Sequence, residues 1–104
     1  MKLDSREYEL LFEFLNNSDS FSMYDEKNNC VLQMRNLDKN ALTFTSAGNE
    51  VMAFNIKDTH FLFDFYEYEV GGSTINFFKK DGYILEVLNM DGREICDELY
   101  EMKK

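Results

Sequence analysis

Cys30, Cys96 and His60 are the side chains in this chain best suited to nucleophilic chemistry. A thiolate attacks, and an imidazole can accept its proton. Cys96 falls near the start of a helix-like segment, where the helix dipole would acidify a thiol, and His60 opens a strand-like run just after a turn. Cys96 also borders an apolar stripe, so an inert thiol and an exposed turn histidine form the stronger reading. With one histidine and two cysteines in the chain, no His/Cys cluster at metal-ligand spacing can be assembled. Each cysteine falls on an expected apolar face, and two buried free thiols are expected rather than a disulfide.

Carboxylates are abundant, at 20 Asp and Glu, so a paired acid/base site is not excluded by number. The flanking signals of such a site are absent, as are the calcium-loop, H-E-x-x-H and G-x-S-x-G patterns. Asn89-Met90-Asp91-Gly92 reads as a turn and helix cap. Gly71-Gly72-Ser73-Thr74 lies between two strand-like runs, which makes it a hairpin turn and not a phosphate loop. No enzyme activity, catalytic residue, metal or cofactor is expected.

Residues suited to protein contact stand out more clearly. In the run from His60 to Glu69, burial of Phe61, Phe63 and Phe65 would turn Leu62, Asp64, Tyr66 and Tyr68 outward. Tyrosine is large, stiff and amphipathic, and is enriched at interface hot spots. Glu67 and Glu69 would then face the core unless the strand ends or bulges near Phe65 or Tyr66. The competing reading packs Tyr66 and Tyr68 under a helix. A second group, Glu94, Asp97, Glu98 and Glu101, lines one side of a C-terminal helical pattern, where a merely solvated face is the competing explanation. The partner-binding candidates are therefore Asp64, Tyr66, Tyr68, Glu94, Asp97, Glu98 and Glu101.

The formal charge of −9 repels phosphate backbones and anionic lipid, which argues against direct nucleic-acid or membrane binding. It favours a basic protein partner, such as a nuclease or toxin, although charge also serves solubility. The N-terminus has no signal-peptide pattern, and no apolar run approaches the roughly 20 residues that span a bilayer. A cytoplasmic location is expected.

These residues need elements to hold them. Asp4 and Glu7 form a capping box ahead of Tyr8, Leu11, Phe12 and Leu15 at helical spacing, with Leu10 and Phe14 widening the face. From Phe21 the period becomes two, and turn clusters recur between short runs: Phe21–Asp25, Cys30–Asn36, Ala41–Thr45, Glu50–Lys57, His60–Val70, Thr74–Lys79 and Tyr83–Met90. Cys30, Leu32 and Met34 are expected on one face, and so are Ile75 with Phe77 and Tyr83 with Leu85 and Val87. Asp91 and Glu94 suggest a second capping box, before a helix over about residues 92–103. The 104 residues are expected to form a single α+β domain. Its parts are an N-terminal helix, an antiparallel meander of six to seven short strands, and a C-terminal helix packed on one face of the sheet.

In size and charge the chain is similar to immunity proteins that neutralise bacterial toxins and to phage inhibitors of host nucleases, including anti-CRISPR proteins. That resemblance implies an inhibitor that occupies a basic, nucleic-acid-binding site. The alternative is a ligand- or peptide-binding module, with the meander and last helix curled into a half-barrel similar to pleckstrin-homology domains. A closed barrel would favour the module, and an open sheet with an acidic face would favour the inhibitor.

Overall fold

The computed structural model describes residues 2–35, 41–46, 49–55 and 65–104. Helix α1 spans Ser5–Asn16. Strands β1 (Ser20–Tyr24), β2 (Cys30–Arg35), β3 (Ala41–Ser46), β4 (Asn49–Asn55), β5 (Phe65–Val70), β6 (Thr74–Lys79) and β7 (Ile84–Leu88) follow, and α2 spans Arg93–Met102. The architecture is α+β, with a helix at each end of an antiparallel sheet.

Strand order is β4-β3-β2-β1-β7-β6-β5. Short turns leave no room for a crossover, so sequential strands pair antiparallel. The exception is β4 and β5, which are consecutive yet stand at the two edges, while β1 joins the two meanders by pairing with both β2 and β7. In the β1–β2 turn, Asp25 Oδ1 accepts from the Lys27 and Asn29 amides, and Asn28 takes the left-handed conformation that asparagine tolerates (φ 66°).

Helix α1 starts as its sequence dictates. Asp4 accepts from the Glu7 amide at 2.7 Å, and Glu7 accepts from the Asp4 amide at 3.3 Å. Its Leu10, Leu11, Phe14 and Leu15 form one core with Phe21, Phe65, Tyr68, Ile75, Phe77, Leu85 and Val87 from the sheet and Cys96 and Leu99 from α2. Both helices therefore cover the same face of the sheet.

Of three register shifts among the described strands, two overturn the simple alternation. One lies between β1 and β2, where Met23 pairs with Leu32 but Tyr24 pairs with Cys30, so Val31 is the extra residue. It sets Cys30 on the face of Tyr24 instead of the face of Met23, and Cys30 is exposed rather than buried. The other makes Tyr66 the extra residue of β5, since Phe65 pairs with Lys79 and Glu67 with Phe78. Tyr68 then pairs with Phe77 on the core face, which corrects its expected outward position. Tyr83 is also misplaced by alternation, because it sits in the turn before β7 and is exposed. The expectations for His60, Phe61, Leu62, Phe63 and Asp64 lie outside the described residues.

The cysteines can be told apart by reagent. Cys96 is buried, and burial pushes its thiol up to about 11. Its raised value stabilises the fold below the unfolded thiol's ordinary 9.0, and that contribution is lost as pH rises through about 11. A thiol reagent at neutral pH is expected to modify Cys30 quickly and Cys96 only on unfolding. Equal rates for both would contradict the placement.

Candidate functional site

The partner-binding candidates sort into three groups. Tyr68 belongs to the interior, at 3% exposure. Its hydroxyl donates to the carboxylate of Glu7, the same side chain that closes the α1 capping box. Burial, with the Glu7 carboxylate beside it, holds the phenol well above the ordinary tyrosine range. Lys103 donates to the Tyr68 carbonyl, and its ammonium lies 4.0 Å from the ring centroid. Tyr68 is thus a rivet between β5 and both helices, which is the helix-packed alternative considered for it.

Glu98 is exposed enough to meet a partner, but it is already engaged. Arg6 of α1 donates to it through Nε at 2.7 Å and Nη2 at 3.0 Å, a fork that clamps α1 to α2. The Arg6 hydrogen bond lowers the Glu98 carboxyl below the usual glutamate range.

The third group faces solvent. Glu94 and Asp97 are exposed and form no ion pair among the described residues, while Glu101 lies 3.3 Å from Lys104. Tyr66, pushed out by its bulge, is 49% exposed. Asp64 lies outside the described residues. Tyr100 adds to the α2 surface at 57% exposure and was not among the candidates. Its signal was helical geometry, since residues three apart are neighbours on a helix and Asp97 precedes it by three.

Beside Tyr100, a cleft of about 380 Å³ is lined by Glu69, Val70, Lys103 and Lys104. Both lysines have partners, Lys103 at the Tyr68 carbonyl and Lys104 at Glu101, so neither is poised for an anionic ligand. A second hollow, of about 270 Å³, collects Asp25, Glu26, Lys27, Asp81 and Tyr83 from two turns. Asp25 and Asp81 spend acceptors on turn amides, and no group that could hold a metal is found among the described residues. No described helix is long and apolar enough to cross a membrane. Of the nucleophile–base pairing, Cys96 lies in the core, where burial pushes its thiol up to about 11, Cys30 is exposed, and His60 lies outside the described residues. No family model, curated protein or solved structure matches this chain.

Proposed function

We propose that this chain is a stoichiometric, protein-binding inhibitor that docks on a basic, nucleic-acid-binding target, such as a nuclease or toxin, and occupies its site. The observation that carries the reading is the outer arc of α2. Glu94, Asp97 and Glu101 project there with the exposed Tyr100, while Glu98, the α2 carboxylate that clamps α2 to α1, is turned toward Arg6. Carboxylates steer a basic partner into register, and an exposed tyrosine supplies area that can be desolvated at low entropic cost. The net charge of −9 adds long-range attraction for such a target and repulsion of its nucleic acid.

The openness of the described sheet supports this reading over a ligand- or peptide-binding module closed into a barrel. Among the described residues β4 and β5 do not pair, so the described sheet is open, and Lys103 already occupies a main-chain carbonyl of the edge strand β5.

The test is capture from a bacterial lysate by the immobilised chain, followed by assay of any retained nuclease. A basic protein is expected at near-equal amounts, released by salt and inhibited in proportion to added chain. The E94K/D97K/E101K variant should lose it while melting normally. Retention by that variant equal to the parent would assign those carboxylates to solvation alone, and retention of no basic protein would remove the inhibitor reading.

A further inference from the structure

Strand β5 stands at one end of the described sheet, and the hairpin that follows it shows which of its main-chain groups point outward. The Gly71 amide donates to the Thr74 carbonyl at 2.7 Å, so those residues form a hydrogen-bonded pair. Hydrogen-bonded and non-hydrogen-bonded pairs alternate along an antiparallel ladder. Val70 and Tyr68, opposite Ile75 and Phe77, are therefore the non-hydrogen-bonded pairs, and their N–H and C=O groups point away from β6. The Tyr68 carbonyl agrees, because Lys103 reaches it from α2.

Side chains divide to the two sides of this edge. Tyr68 and Val70 pack with the core beneath the helices, where the cleft beside Tyr100 is bounded by Lys103 and Lys104. Glu67 and Glu69 alternate with them and face the other way. Both are exposed, and neither forms an ion pair among the described residues.

We infer that the outer edge of β5 receives an extended segment of a basic protein, added as an antiparallel strand. The added strand exchanges main-chain bonds with Val70 and Tyr68 and takes the Tyr68 carbonyl from Lys103, which is the strap over this edge. Side chains opposite Glu67 and Glu69 stand about 4.5–5.5 Å from them and complement them when they are lysine or arginine. On the helix side Lys103 and Lys104 repel a cation, so the residue opposite Val70 is apolar and enters the cleft. The residue opposite Tyr68 is small, because the Lys103 ammonium, 4.0 Å from the Tyr68 ring centroid, fills that space. The segment thus reads apolar, basic, small, basic. The inference rests on the α2 reading only for the basic charge of the partner.

The experiment is a titration of the isotope-labelled chain with the acetylated and amidated peptide leucine-lysine-alanine-lysine, followed through backbone amide shifts. The amides of Glu67, Tyr68, Glu69, Val70 and Lys103 should move most. In this register the alanine amide bonds Tyr68, whereas both lysine amides point away from β5. N-methylation of the alanine should weaken binding about tenfold, the scale of one main-chain hydrogen bond, and N-methylation of the first lysine should leave it unchanged. The E67Q/E69Q variant, with its melting point retained, should weaken the parent peptide about tenfold on the same scale, and Lys103→Met should tighten it by removing the strap. Equal loss from the two N-methylated peptides, or no shifts along β5 at millimolar peptide, would overturn the inference. Shifts centred on Glu94, Asp97 and Glu101 would overturn it too, while leaving the α2 reading intact.

Discussion

Phe14→Ala is expected to cost about 3–5 kcal/mol of folding stability, the range for removing a fully buried aromatic side chain. Small domains hold only about 5–15 kcal/mol in total, so this one change threatens the whole fold. The reason is local. Phe14 is fully buried on α1, and its ring fills the space where the chain turns into α2. A Cβ on Gly92 would stand 2.6 Å from Phe14 Cε2 and 2.8 Å from Cδ2, closer than any real methyl group approaches an aromatic ring. Glycine at 92 is therefore required by close approach and not by backbone conformation, since its φ of −94° is open to other residues. Gly92→Ala alone should cost about 1–3 kcal/mol as overpacking. Combined with Phe14→Leu, which removes the ring edge, it should cost less than the two singles together. Urea unfolding at constant slope measures all three variants. Strict additivity would show that the ring and the glycine do not meet.

The same junction marks how far the sequence can be read. What depends on neighbours along the chain was legible: the Asp4–Glu7 capping box, the bounds of β6, and the inward Ile75 and Phe77. Alternation failed at Cys30 and Tyr68 because it assumes one residue opposite one residue. A bulge sets two opposite one and reverses the parity beyond it. For β5 the conflict itself was visible, since strict alternation would have buried Glu67 and Glu69, and the bulge at Tyr66 resolves it at the expense of the tyrosine row. The expected cap at Asp91 failed for another reason. Gly92 takes the cap position without a side-chain bond, while the Asp91 amide is held by Asn89. Long-range pairs left no local trace. Glu98 looks like its neighbours in sequence, yet Arg6, 92 residues away, separates it from them, and Glu7 claims Tyr68 across 61 residues. Of the candidate site, the outward α2 carboxylates were readable from helical period, whereas their division into structural and free members needed the packing of α1 on α2.

Asn89 shows what such a nonlocal contact contributes. Read in sequence it is a turn residue, but it is buried at 2% exposure and joins three segments. Its Nδ2 donates to the Phe14 carbonyl at 3.1 Å, near the end of α1, where helical carbonyls lack partners. Its Oδ1 accepts from the Asp91 amide at 3.0 Å, and its backbone amide donates to the Ser73 carbonyl at 3.0 Å. Close by, Asp19 accepts from the Met90 amide at 2.8 Å, so the α1–β1 and β7–α2 connections are laced together. Asn89→Ala removes both side-chain bonds and leaves the Phe14 carbonyl and the Asp91 amide to find other partners. Each buried polar group so orphaned costs about 1–3 kcal/mol, so a loss of about 2–4 kcal/mol is expected. Asn89→Asp discriminates further, because it keeps an acceptor for Asp91 while turning a carboxylate oxygen toward the Phe14 carbonyl. If the donated bond is the essential one, the aspartate is at least as damaging as alanine near neutral pH and recovers as acid protonates it, since only the protonated carboxyl can donate. Stability of the aspartate variant independent of pH would mean that the turn, and not the tie to α1, is what Asn89 supplies.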